Sequence, residues 1–244
     1  MSGLSFNLDI LVAHRGLQAS YPENTVLALN KAIEKGAQYI ELDIQFSADC
    51  QPVIYHDPDL QRVSHGSGKV WDYSLQQLVK MPAYEPDRLG KRFISETIAP
   101  LQALVPILQA NPKVTAFVEL KEESIAHCGR ERMLSEVIQC LSLVKKQVVL
   151  ISYDYLLVQS ARERLWGPVG VVLKEWQDLH SDIVKNIASD YIFVDHEKIP
   201  DDFRHPKRDA TCLVAYEVDS IEKGKQLLDK GITMLETFEL ERLS

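Results

Sequence analysis

The sequence predicts an α/β chain folded as a TIM (βα)8 barrel with a small insertion after the second strand. Eight short apolar runs, each the length of a buried strand, alternate with stretches of helical periodicity. The length of 244 residues suits one catalytic barrel domain spanning 1–244. Residues 47–95 alone break the alternation, carrying glycines, prolines and aromatics but no clear βα unit. An open doubly wound sheet fits the same alternation. It would more readily begin with a Gly-rich turn after the first strand, and none is present here.

The first run is Ile10–His14. The stretch Asn24–Lys35 follows, with Val26, Leu27, Leu29, Ala32 and Ile33 at helical spacing and Gly36 as its stop. The second strand is Tyr39–Asp43. After the insertion come a helix over Leu101–Gln109 and the strand Val114–Leu120 with helix Glu131–Val144. Then come Val148–Ser152 with Tyr155–Leu165, and Val169–Leu173 with Leu179–Ala188. Tyr191–Val194 leads into a polar stretch. Thr211–Tyr216 precedes Ile221–Lys230, and Ile232–Glu236 closes the set.

The insertion opens with Pro52-Val53-Ile54-Tyr55-His56, too soon after Asp43-Ile44-Gln45-Phe46 for a parallel crossover. The two stretches should therefore pair antiparallel. With a tight turn on Asp49-Cys50, Asp43 opposes His56 and shares its face. A slip of one residue would send His56 to the other face.

Acidic residues outnumber basic ones by 35 to 27, a net charge of −8. That argues against nonspecific nucleic-acid or anionic-membrane binding. No apolar run approaches the roughly 20 residues of a membrane span. The first residues lack the basic start of a signal peptide. Cys50, Cys128, Cys140 and Cys212 have no metal or redox spacing and read as ordinary thiols of a reducing compartment.

Three strand-like runs end in charged groups: His14-Arg15, Glu41-Leu42-Asp43 and Glu119-Leu120-Lys121. Strand alternation points Glu41 and Asp43 the same way, and likewise Glu119 and Lys121. Converging buried carboxylates repel one another and are costly to leave unpaired. A divalent cation would resolve that conflict, although each carboxylate could instead sit in its own salt bridge. Carboxylates without cysteine suit a hard ion, Mg²⁺ or Ca²⁺. Histidines nearby suit acid–base chemistry, and Arg15 and Lys121 suit an anionic substrate such as a phosphate ester. A phosphodiester needs its charge neutralised, a nucleophile deprotonated and an alkoxide protonated, and this set could supply all three. Asp195-His196-Glu197 could add a ligand but also reads as a solvated loop. Glu236 is a further strand-end carboxylate with weaker support. His65, His127, His180, His196 and His205 have no matching context.

The wording of the motifs goes further. His14-Arg15-Gly16, Pro22-Glu23-Asn24-Thr25, Glu41-Leu42-Asp43, Pro52-Val53-Ile54-Tyr55-His56-Asp57, the run Leu60 to Val70 and Glu119-Leu120-Lys121 together resemble the glycerophosphodiester phosphodiesterase family. The resemblance covers almost the whole chain. It implies a phospholipase-C-like phosphodiesterase barrel with a small insertion after its second strand. Glu41, Asp43 and Glu119 then match metal ligands, His14 and His56 the acid–base pair, and Arg15 and Lys121 phosphate-contacting cations. Asn24 matches a residue ordering the helix start or the site. The chain departs from the family near its end. Ala215-Tyr216-Glu217-Val218-Asp219 stands where a Trp-Thr-Val-Asn-like segment is common, and Glu236-Thr237-Phe238-Glu239 where Thr-Asp-x-Pro is common. On the fourth strand Ser152-Tyr153 replaces serine-phenylalanine. These positions bear on substrate identity more than on reaction type.

The expectation is a soluble, cytoplasmic, metal-dependent phosphodiesterase. It would convert glycerophosphodiesters such as glycerophosphocholine and glycerophosphoethanolamine to an alcohol and sn-glycerol 3-phosphate. Water or the neighbouring glycerol hydroxyl could be the nucleophile. A lysophospholipid substrate and a non-catalytic phosphodiester-binding protein are the alternatives. Residues 47–95 are expected to cap the barrel, with Trp71, Tyr73, Tyr84 and Phe93 facing a quaternary ammonium or packing a small core of their own.

Overall fold

A computed structural model describes residues 5–204 and 211–244, so His205 lies outside the described residues. Eight parallel strands close into a barrel. They are β1 (Leu11–Ala13), β2 (Tyr39–Phe46), β5 (Thr115–Leu120), β6 (Val148–Ser152), β7 (Val169–Val172), β8 (Tyr191–Asp195), β9 (Cys212–Tyr216) and β10 (Met234–Thr237). β1 pairs with both β10 and β2, which closes the ring. Two short strands, β3 (Pro52–Ile54) and β4 (Ala99–Pro100), extend β2 antiparallel outside that ring. All eight expected strands are present, each within a few residues of its expected bounds.

Side-chain alternation sorts the strand residues into two cores. Leu11, Ala13, Ile40, Leu42, Ala116 and Val118 face outward and pack beneath the surrounding helices. Val12, Phe117, Val149, Ile151, Val172, Phe193, Val214 and Met234 fill the barrel interior. Phe117 is central there, edge-on to Tyr191 at 4.9 Å and to Phe193 at 5.0 Å between ring centres. This interior layer is the floor of the site. Two residues further along each strand, the same face continues as His14, Glu119, Tyr153, Tyr216 and Glu236.

The helix after β1 spans Val26–Glu34, and its cap is Thr25, whose Oγ1 accepts from the Ala28 amide at 3.1 Å. Asn24, a candidate for that role, sits at φ 54° with its side chain turned to the barrel. Gly16 shapes the turn that carries His14 and Arg15. Its φ is +82°, and an added Cβ would lie 2.6 Å from the Ala28 carbonyl carbon. Gly16→Ala should lower stability by about 1–3 kcal/mol from backbone strain alone, read by urea unfolding. An unchanged midpoint would mean that the turn relaxes freely.

Two expectations are corrected here. The β2–β3 register is one residue off: Phe46, not Ser47, opposes Pro52. The connection runs Ser47 to Gln51, with Cys50 in the left-handed region at φ 55°. The cysteines are not all free thiols either. Cys50 at this hairpin tip is disulfide-bonded to Cys128, 78 residues away, while Cys140 and Cys212 are free. No spacing in the sequence could reveal a pairing between two distant loops.

Residues 47–95 pack around Val53, Tyr55, Leu60, Val63, Val70, Leu78, Ala83 and Ile98, a core separate from the barrel's. Tyr73 leans on this cluster, Tyr84 is buried, and Phe93 meets Tyr21 at a tilt, with ring centres 5.6 Å apart. Trp71 lies beneath Lys69. Among the described residues, no helix is long and apolar enough to cross a membrane.

Candidate active site

A cleft of about 130 Å³ opens at the carboxyl ends of the barrel strands. Its lining includes all seven residues singled out in the sequence: His14, Arg15, Glu41, Asp43, His56, Glu119 and Lys121. Glu236 and Glu217 join them, giving five carboxylates against two fixed cations. Trp71, Tyr73, Tyr84 and Phe93 are not part of the lining; Tyr153 and Tyr216 are, joined through their hydroxyls at 2.8 Å.

Four of these carboxylates come from three strands, β2, β5 and β10, and Glu217 directly follows β9. Asp43 lies level with Glu119 on the adjacent strand, and Glu41 is two residues below Asp43 on the same face. One oxygen from each of Glu41, Asp43 and Glu119 can be chosen so that the three fall within 4.8 Å of one another. The same holds for His14, Glu41 and Glu236.

Their charges are unequally compensated. Asp43 faces Arg15 Nε at 3.0 Å and Lys121 Nζ at 3.2 Å, and accepts from Asn24 Nδ2 at 2.9 Å. Asn24 also takes the Asp43 amide at 3.0 Å, which fixes this stretch of β2. Burial alone would raise the Asp43 pKa, but Lys121 and Arg15 overcome it and hold the group well below the usual carboxylate range. Glu119 has Lys121 at 2.8 Å, yet burial leaves its pKa raised. Glu41 is the least compensated of the three. Its Oε2 accepts from the Arg15 amide at 3.0 Å, while Oε1 is buried without a partner. Burial, then Asp43 and Glu236, push Glu41 well above its ordinary value. Burial and Glu119 do the same to Glu236.

His14 extends the inward face of β1. Its Nε2 lies 3.5 Å from Glu236 and 3.9 Å from Glu41, and Nδ1 has no hydrogen-bond partner. Burial first, and then the Arg15 charge, hold its pKa well below 6.5. His56 reaches the cleft by another route. β3 ends at Ile54, so strict alternation no longer governs the chain beyond it. Gln45 Nε2 donates to the His56 carbonyl at 2.8 Å, and Asp57 binds His56 Nδ1 at 2.7 Å. The histidine therefore lines the cleft although the register that predicted it was wrong.

An ionic chain behind the cleft, exposed at Arg62 and buried at Glu23 and Glu85, has no signature in the sequence. Arg62 grips Asp57 and, through both terminal nitrogens, Glu23 at 2.7 and 2.8 Å. Glu23 in turn meets Arg15 at 3.1 Å, and its amide donates to Glu85 at 2.7 Å. Glu23 and Glu85 are buried, so each needs these partners. Arg62 and Glu85 belong to the insertion, which thus fixes Arg15 and Asp57 from outside the barrel. Asp195, His196 and Glu197 lie in a neighbouring cleft with Tyr216 and Glu217.

Three carboxylates from neighbouring strands, one with an unpartnered buried oxygen, form a donor set that fits a hard divalent cation. Residues 14–230 match the glycerophosphoryl diester phosphodiesterase family. A glycerophosphodiester phosphodiesterase of Caldanaerobacter subterraneus is 28% identical over 154 residues, which is 63% of this chain and 62% of that protein. Glycerophosphodiester phosphodiesterase 1 of Mus musculus is 37% identical over 111 residues, 45% of this chain and 33% of that protein. These matches thus span less than two thirds of either relative. An Oleispira antarctica phosphodiesterase, solved with the product sn-glycerol-3-phosphate, superposes with a TM-score of 0.82. It is 20% identical, over 96% of this chain and 94% of that one.

Proposed function

The chain belongs to the glycerophosphoryl diester phosphodiesterase family, and from that premise we propose that it hydrolyses glycerophosphodiesters to an alcohol and sn-glycerol 3-phosphate. The observation that carries the reading is the gathering of Glu41, Asp43, Glu119, His14, His56, Arg15 and Lys121 in one cleft. The glycerol 3-phosphate product named for the Oleispira antarctica neighbour supports the product assignment.

In this reading Glu41, Asp43 and Glu119 hold one divalent cation, Mg²⁺ or Ca²⁺. When bound, that ion neutralises phosphate charge and favours deprotonation of the nucleophile. Arg15 and Lys121 orient the phosphate. One histidine takes the nucleophile's proton, and the other protonates the departing alkoxide. Asp57 holds the His56 ring so that its other nitrogen is free for this exchange. Residues 47–95 act as a cap. Their support lies in the Arg62 and Glu85 contacts to Glu23 rather than in aromatic faces turned to the substrate.

In sequence, four free thiols and the lack of a basic signal-peptide start point to a cytoplasmic protein. The Cys50–Cys128 bond removes two of them and favours an oxidising compartment. Turnover of glycerophosphocholine with and without EDTA tests the function. Release of choline and glycerol 3-phosphate that stops with EDTA supports it. Rapid turnover after exhaustive chelation overturns the metal assignment, and no turnover of any glycerophosphodiester overturns the activity.

A further inference from the structure

Taking the phosphodiesterase reading as its basis, we propose that the mouth of the cleft beside His14 is a subsite for a cationic headgroup, with Glu217 and Phe238 as its specificity-determining residues. Two observations converge on it.

The first is continuity. Two larger clefts, about 450 and 470 Å³, flank the site. Glu217 lines both of them and the central cleft as well, and Phe238 lines both flanks. Glu217 Oε1 stands 3.9 Å from His14 Nδ1, a buried ring nitrogen with no hydrogen-bond partner. A diester whose phosphate meets Arg15 and Lys121 in the central cleft would extend its alcohol past Glu217 into one of these flanks.

The second is charge. Asp195, Glu217, Asp219 and Glu239 edge the two flanks. Among the described residues, no lysine or arginine lies within ion-pair distance of any of the four. Glu217 and Asp195 have only a histidine each, at 3.9 Å. Arg15 and Arg88 border one flank, Arg15 committed to Asp43 and Glu23 and Arg88 to Glu85 and the Tyr21 carbonyl. His196 borders the other with its Nδ1 on the Tyr216 carbonyl. Arg15 and Lys121 would thus meet the phosphate, while the flank lined by Asp195, Glu197, Glu217 and Asp219 is acidic and holds no lysine or arginine, an arrangement that complements a zwitterion. Phe238 and Tyr216 add faces on which an ammonium can rest.

The test compares kcat/KM for glycerophosphocholine with that for the neutral glycerophosphoglycerol. Removing charge beside His14 can slow both substrates, so the ratio is the readout. Wild type should favour the choline diester. Glu217→Gln should lower the ratio about tenfold and Phe238→Leu about threefold, the range of a partly exposed cation contact. A wild-type ratio near one, or a ratio unmoved in Glu217→Gln, overturns the proposal. Choline alone is titrated in parallel and followed by its methyl NMR signal. Binding weakened severalfold in Glu217→Gln supports the subsite, and equal binding or none overturns it. If no diester is hydrolysed, the phosphodiesterase reading falls, and the choline titration still decides the subsite.

Discussion

Alanine in place of His14 or His56 is expected to lower kcat by about 10²–10⁴-fold, the usual cost of losing a general acid or base. The two residues differ in how they are held, and the variants should differ accordingly. His14 is buried in the cleft wall, with its pKa held well below 6.5 by burial and by Arg15. His56 is partly exposed and oriented through Nδ1 by Asp57. Neither is assigned as a metal ligand, so cation affinity should stay within a fewfold of wild type in both variants. A bell-shaped wild-type pH–rate profile should lose a different limb in each. His14→Gln, which keeps most of the side-chain volume, separates loss of proton transfer from collapse of the wall. It should be as slow as His14→Ala yet unfold at nearly the wild-type midpoint. A rate near wild type in His56→Ala would remove that histidine from the chemistry and leave it a structural partner of Asp57.

The parts of this site that could be read from sequence are those tied to strand periodicity. Val12, Tyr39 and Phe117 face the barrel interior, so His14, Glu41, Asp43, Glu119 and Lys121 had to follow them on the same face. Turn geometry carries no such period. The β2–β3 connection takes one residue more than a tight turn on Asp49-Cys50 allows, and its Cys50 is a residue rarely found in the left-handed region. His56 was assigned to the cleft through a register that proved wrong, and it lies there because the chain leaves the ladder after Ile54. In sequence Asn24 fits either the helix start or the site; Thr25 takes the cap, and Asn24 is spent on Asp43. The pairs Arg62–Glu23 and Glu23–Glu85 span 39 and 62 residues. Nothing local in the sequence distinguishes those charges from surface ones.

Glu41→Gln should abolish divalent-cation binding while making the metal-free protein more stable, and the opposite signs make it the sharpest test of the metal site. In the metal-free protein the carboxyls of Glu41 and Glu236 have pKa values raised well above the ordinary range by burial and by neighbouring acids. The folded state therefore holds their protons to higher pH than the unfolded chain does. Their contribution to stability is fully present below the unfolded value of about 4.5 and is lost as pH rises through the raised folded values. At neutral pH the buried Glu41 charge is thus a cost, and glutamine removes it while still accepting the Arg15 amide. The gain should appear as a higher unfolding midpoint for metal-free Glu41→Gln than for metal-free wild type at neutral pH. Adding Mg²⁺ or Ca²⁺ to wild type should reverse the ranking. A cation at a hundred times its Kd stabilises the folded state by about 2.7 kcal/mol. It should also flatten the loss of stability at rising pH, because the ion replaces the protons. Thermal unfolding of both proteins across pH, with and without each ion, measures all of this without an activity assay. Turnover should vanish in Glu41→Gln and in chelated wild type, and return only in the latter on adding the ion. Equal cation stabilisation of wild type and Glu41→Gln would remove Glu41 from the metal site. That outcome would leave its Oε1 without a partner, with Arg15 and Lys121 serving Asp43 and Lys121 alone serving Glu119.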